Sequence, residues 1–164
     1  MLALMSNYQI LGGARREQPT AVRRATIDVT EIGNWLGATY HAVVTFLAAH
    51  GLSPSGPPFA RYHPLGQGRF RAEAGFPVAR TIEGEDDVSA SVLPGGLIAT
   101  TLHVGPYDAM EPAYQALASW VDEHGGQTTG DAWEVYLSDA DDEPDPAQWK
   151  TEIVQPYQAT STMG

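Results

Sequence analysis

Residues 40–62, YHAVVTFLAAHGLSPSGPPFARY, and residues 114–136, YQALASWVDEHGGQTTGDAWEVY, are one segment written twice. At an offset of 74, Tyr40 falls on Tyr114, Ala42 on Ala116, Phe46 on Trp120, His50 on His124, Gly51 on Gly125, Phe59 on Trp133 and Tyr62 on Tyr136. Ala60 falls on Glu134, so the second copy carries a carboxylate where the first has a methyl group. A second match, at an offset of 79, sets Arg71-Ala72-Glu73 and Pro77 on Lys150-Thr151-Glu152 and Pro156. The five extra residues fit the acidic insertion Asp139-Ala140-Asp141-Asp142-Glu143-Pro144-Asp145. A period near 75 is too long for a solenoid repeat, and it predicts one pseudo-twofold domain with a cleft between related halves.

Each half reads as strand, helix, strand, strand. In the first, Thr20 to Val29 alternates like a strand, Thr30 is placed to cap a helix that begins near Glu31, and Gly51 ends it. Strands over Phe59–His63 and Arg69–Val78 follow, joined through Pro64-Leu65-Gly66-Gln67-Gly68. In the second, Val88–Leu93 and Leu97–Val104 bracket Pro94-Gly95-Gly96 as a hairpin, and Asp108 is offered as the cap of a helix ending at Gly125. Trp133–Leu137 and Glu152–Tyr157 close the half. The expected organisation is an N-terminal arm with a short strand over residues 1–19 and one domain over 20–158. That domain divides into half one (20–78), a linker (79–94) and half two (95–158), and a flexible tail (159–164) follows. The fold class is α+β: an antiparallel sheet, two helices on one face, and a ligand cleft on the other.

With 164 residues, 43% of them hydrophobic, the chain can bury the core of one domain. No apolar run approaches the roughly 18 residues that span a bilayer, and the N-terminus lacks a signal-peptide pattern, so a cytoplasmic protein with no membrane partner is expected. The absence of cysteine excludes disulfides, thiolate metal sites and cysteine nucleophiles. No zinc motif, calcium loop or phosphate-cradling glycine loop is present, so no metal and no cofactor is expected. Residues 1–81 hold eight Lys/Arg against four Asp/Glu, while residues 82–164 hold one against sixteen. A surface of that sign repels phosphates, which argues against a nucleic-acid partner and leaves a protein partner for the acidic half as an alternative.

Alternation along Trp133-Glu134-Val135-Tyr136-Leu137 sends Glu134 and Tyr136 to one side and Trp133, Val135 and Leu137 to the other. The repeat makes Tyr62 the counterpart of Tyr136 and pairs Glu73 with Glu152. An acid held among aromatic rings can pair with a cation, whose attraction to the ring faces adds to the charge interaction, or it can polarise a water. His50 and His124, at equivalent helix ends, read as structural.

The segments Phe59-Ala60-Arg61-Tyr62, Glu73-Ala74-Gly75-Phe76-Pro77-Val78, Gly95-Gly96, Gly105-Pro106-Tyr107, Trp133-Glu134-Val135-Tyr136 and Thr151-Glu152-Ile153 through Pro156, in this order, resemble the GyrI-like small-molecule-binding family. That family also supplies the effector-binding halves of some MerR-type and AraC-type regulators. The resemblance implies a twofold-repeated α+β fold with a ligand cleft. It places the cleft acids at Glu134 and Glu152, as the catalytic pair if chemistry occurs. It sets Tyr107, Trp133, Tyr136, Trp149 and Tyr157 as aromatic walls, and Tyr62, Glu73 and His103 complete the candidate ligand-binding set.

Three functions follow. The first is binding of a hydrophobic aromatic or cationic small molecule, since an aromatic pocket with few polar groups is the usual form of a ligand site. The second, implied by the resemblance, is hydrolysis of cyclopropane-bearing, DNA-alkylating natural products by a carboxylate-activated water. The third is an acidic inhibitor that binds a protein partner.

Overall fold

The computed structural model describes residues 8–138 and 143–160. The start of the expected arm, the first four residues of the acidic insertion and the last four residues of the chain lie outside that range. The described elements are β1 (Leu11–Arg15), β2 (Gln18–Asp28), α1 (Ile32–Ala49), β3 (Phe59–Gly66), β4 (Arg69–Pro77), β5 (Ser89–Leu93), β6 (Gly96–Val104), α2 (Glu111–Glu123), β7 (Gly126–Thr128), β8 (Trp133–Tyr136) and β9 (Lys150–Ala159). Two helices and antiparallel strands make the fold α+β. No described helix is long and apolar enough to cross a membrane.

The chain divides into two compact units, residues 17–95 and residues 1–16 with 96–164. In the first unit the strands run β3-β4-β2-β5 and α1 packs on β2 and β4. In the second they run β1-β6-β9-β8, with β7 on the far end of β9, and α2 packs on β6, β7 and β9. Each unit thus contains the expected strand-helix-strand-strand order, β2-α1-β3-β4 and β6-α2-β8-β9, with β5 added in the first and β1 and β7 in the second.

Helix α1 buries Thr39, Val43 and Leu47, one residue per turn, against Ala21, Val78, Ile82 and Val88. Helix α2 buries Ala113, Leu117 and Val121 against Ala99, Met110 and Ile153. Val43 and Leu117, and Leu47 and Val121, are counterparts in the 74-residue register. Burial of each such aliphatic side chain contributes about 1.5–3 kcal/mol. Both helices stop where a glycine takes a left-handed conformation that a side chain would disfavour: Gly51 at φ 69° and Gly125 at φ 71°.

Several expectations are corrected. Thr30 lies inside a short 3-10 turn, Val29–Glu31, ahead of α1; there the Asp28 backbone N–H donates to Glu31 Oε1 at 2.8 Å, one half of a capping box. Asp108 likewise sits within a 3-10 turn, Tyr107–Ala109, and α2 has Met110 at its N-cap with no side-chain cap bond among the described residues. β5 and β6 do not form the expected hairpin: β5 pairs with β2, and β6 pairs with β1 and β9. Pro94-Gly95-Gly96 has turn chemistry, but turn chemistry does not choose the strand's partner. The strand expected at Val88–Leu93 thus lies in the first unit's sheet as β5, and the short strand expected in the arm is β1, which forms an edge of the second unit. The expected tail begins in order too, with Ala159 in β9 and the Thr160 N–H donating to the Gly125 carbonyl at 2.8 Å.

The sheet face away from the helix is not bare in either unit. Val22 and Phe59 in the first, and Ile98, Trp133 and Val154 in the second, point away from their helix and are buried.

Candidate functional site

Strand register fixes where Glu134 points. Glu134 stands opposite Ile153, and opposite residues of an antiparallel pair share a face. Ile153 packs under α2, so Glu134 does too. Along the same face, Tyr136 stands opposite Thr151, and Thr151 opposite His103. The carboxylate expected beside an open cleft is instead set between the sheet and its helix.

Two phenols hold it there. The Tyr114 hydroxyl, from α2, donates to Glu134 Oε2, and the Tyr136 hydroxyl donates to Oε1 at 2.8 Å. Among the described residues Glu134 makes no ion pair. Burial raises its carboxyl above the ordinary 4.5, against the opposing pull of the two phenol bonds and of nearby His103.

His103 is buried and its ring is held at both nitrogens: Nε2 lies 2.9 Å from the Pro106 carbonyl and Nδ1 2.8 Å from the Tyr8 hydroxyl. A carbonyl only accepts, so Nε2 carries a proton. That bond ties the sheet to the Gly105-Pro106-Tyr107 corner, from which an aromatic wall grows. Tyr107 stacks on Trp149 at 4.7 Å and 27°, and meets Tyr136 edge-on at 5.4 Å and 61°. Trp149 is fixed from behind, its Nε1–H donating to the Glu143 carbonyl at 2.7 Å. Tyr107 remains 42% exposed, so this wall is open to solvent at its rim.

Of the sequence-predicted residues, Glu134, Tyr136, Tyr107, Trp149 and His103 come together. The others do not. Glu152 stands opposite Val135 and Leu102, on the face away from α2, where Arg15 pairs with it at 3.2 Å. The two acids therefore do not line one cleft on the same sheet face, because the register puts them one residue out of step. Trp133 also points away from Glu134, and at 2% exposure it is a core residue rather than a wall. Tyr157 packs edge-on against Trp120, at the other end of α2. In the first unit Glu73 is saturated by Arg61 at 2.6 Å, Arg24 at 2.9 Å and the Ser91 hydroxyl, on the face away from α1. Tyr62 lies on the opposite, α1 face, edge-on to Phe70 at 6.1 Å. No group of three or more described His, Asp or Glu residues is placed to hold a metal.

A GyrI-like small-molecule-binding domain matches residues 24–158. The chain belongs to the GyrI-like family. Among solved structures it is similar to EcmrR, both in a cryo-EM structure of an EcmrR–DNA complex (TM-score 0.83, 23% identity, 95% of this chain) and as the isolated EcmrR C-terminal domain (0.76, 21%, 94% of this chain and 99% of that one). It spans 59% of the EcmrR chain in the DNA complex. It is also similar to a hydrolase encoded by lin2189 from Listeria innocua (0.67, 12%, 92% of each chain) and to SAV2435 bound to tetraphenylphosphonium (0.62, 10%, 92% of this chain and 94% of that one). At these identities the likeness is one of fold. No curated protein matches the chain.

Two polar residues of this candidate site in the GyrI-like domain are not singled out by the sequence analysis. The repeat gives Tyr114 only as the counterpart of Tyr40, although the rest of α2 and a return strand suffice to bring it over Glu134. Thr151 was aligned with Ala72 but given no role. Matching the strand registers of the units also sets His103 on Ala25. The second unit thus has His103, Thr151 and Glu134 where the first has Ala25, Ala72 and Ala60.

Proposed function

We propose that the second unit binds a hydrophobic aromatic cation, with Glu134 as counter-charge and Tyr136, Tyr107 and Trp149 as the aromatic surface. The observation that carries this reading is the half-buried carboxylate satisfied by two neutral phenols. Phenol donors orient the carboxylate oxygens without cancelling the charge, so an arriving cation recovers the electrostatic energy that burial withholds. Ring faces add about 0.5–2 kcal/mol for a desolvated cation. The second unit carries three Lys/Arg against twelve Asp/Glu, a net charge of −9, which draws cations toward it and speeds their association at low salt. The bound tetraphenylphosphonium in the SAV2435 structure supports the same ligand class.

The test compares tetraphenylphosphonium with uncharged triphenylphosphine oxide by isothermal titration calorimetry. Glu134→Gln should weaken the cation about tenfold or more and leave the neutral compound within twofold. Equal losses for both compounds would remove the charge-pairing role.

The raised carboxyl of Glu134 favours a second reading, hydrolysis with Glu134 as general base toward a water. Glu152, ion-paired on the other face, does not suit a two-carboxylate mechanism, so such a hydrolase works through Glu134 with its phenols. Mass spectrometry of cyclopropane-bearing alkylating compounds incubated with the protein checks it: water addition should be lost in Glu134→Gln and kept in Glu152→Gln. Recovery of every compound unchanged leaves binding as the function.

A further inference from the structure

Thr151 is the centre of the row His103–Thr151–Tyr136, on the sheet face that carries Glu134. It is fully buried, and its hydroxyl has no hydrogen-bond partner among the described residues. A hydroxyl left unpaired in the interior costs about 1–3 kcal/mol, and a valine of the same shape removes that cost. The repeat makes this more telling, because the counterpart position is filled by Ala72 with no polar atom at all. The other described buried hydroxyl without a partner, Thr20, is on the face of the first unit away from α1 and has no site acid on its row.

Glu134 is the diagonal neighbour of Thr151 across β8 and β9, a separation of about 7 Å that a glutamate side chain spans. One small group can therefore touch both. His103 offers no free lone pair to compete for it, since both its nitrogens are engaged. A hydroxyl oxygen beside a carboxylate accepts hydrogen bonds, so the group that fits between them is a donor with positive charge.

We propose that Thr151 is a specificity-determining residue of the Glu134 site, and that the site takes aromatic primary ammonium ions in preference to quaternary ones, one ammonium N–H donating to Glu134 and a second to Thr151 Oγ1. This rests on the cation-binding reading above. A quaternary cation presents only charge and surface, and it leaves the Thr151 hydroxyl unpaired. A primary ammonium of the same aromatic body satisfies it. Rejection by an unpaired buried polar group is how sites built on hydrogen bonds gain their selectivity.

The test uses a matched pair, 1-naphthylmethylammonium and N,N,N-trimethyl-1-naphthylmethylammonium, titrated into the full chain at pH 7 with calorimetric detection. The wild type should prefer the primary ammonium about tenfold. Thr151→Val should reduce that preference to within twofold, at unchanged affinity for the quaternary compound and a melting temperature equal to or above wild type. Thr151→Ser, which keeps the hydroxyl, should retain the preference and guards against a folding defect in the valine variant. A wild type without preference, or a Thr151→Val variant that keeps it, overturns the proposal while quaternary binding sensitive to Glu134→Gln leaves the cation reading standing. Failure of both compounds to bind overturns both.

Discussion

The two units share a plan and differ in what they enclose. Beneath α1, the first unit presents Ala25, Ala72 and Ala60; beneath α2, the second presents His103, Thr151 and Glu134 at matching register positions. The helix tyrosines differ accordingly. Tyr40 donates to the Phe59 backbone carbonyl at 2.9 Å, while its counterpart Tyr114 donates to the Glu134 carboxylate. A duplicated fold gains a site when small apolar residues between sheet and helix become polar ones, and the sister unit keeps the apolar arrangement. Polar charge in the first unit stays on the other face, where Glu73 sits between two arginines and is neutralised.

Installing the carboxylate in the first unit is the strongest way to break this comparison. Ala60→Glu should destabilise the protein by about 3–5 kcal/mol at pH 7, the cost of an uncompensated buried charge, as read from urea unfolding. A loss below about 1 kcal/mol would mean that the first unit is as ready for an acid as the second. A second large effect should fall on the strand that differs most in bulk: Gly75 occupies the register position of Val154. A Cβ there would stand 1.9 Å from the Ala21 carbonyl oxygen, so Gly75→Ala should cost about 3 kcal/mol. Tolerance of that methyl would show β2 and β4 to be less closely apposed.

The reverse exchange should have the opposite sign. Burial raises the Glu134 carboxyl above 4.5, so the folded state holds its proton more tightly than the unfolded chain does. Stability from that proton is fully present below the unfolded value and is lost as pH rises through the folded one. Glu134→Gln should therefore raise the melting temperature at pH 7 by about 2–4 °C, and the gain should vanish as pH falls below about 4.5. A variant that melts lower at pH 7 would show the carboxylate to be a net stabiliser. Smallest of all, Arg15→Ala removes a half-exposed partner of Glu152 and should change stability by less than about 0.5 kcal/mol, with tetraphenylphosphonium affinity untouched. Weaker ligand binding in that variant would bring Glu152 back into the site.

Much of this difference was legible in the chain. The 74-residue repeat gave both helices, their glycine stops, the paired strands and the Ala60–Glu134 exchange. Alternation put Tyr136 beside Glu134. What it could not give was the register between β8 and β9, which decides whether Glu152 joins Glu134 or faces away, because a one-residue slip reverses every side chain. The match of His103 with Ala25 hid for a related reason: it lies at an offset of 78, outside the two matched segments. The short strand of the arm was expected, but its bounds and partner were not, because LGGAR has neither alternation nor β-branched residues; its partner is β6, and Gly12 lies against the Trp120 ring, where a Cβ would approach it to 2.5 Å.

The central claim is that a half-buried carboxylate on the α2 face of the second unit is the anion that a ligand cation meets. Its most direct measure is the titration of the Glu134 side-chain carboxyl followed by carbon-13 NMR, with and without saturating tetraphenylphosphonium. Without ligand the midpoint should lie above 4.5, and with ligand it should move down, since a cation beside the group favours its charged form. A midpoint at the ordinary carboxylate value that the ligand does not shift would contradict the account.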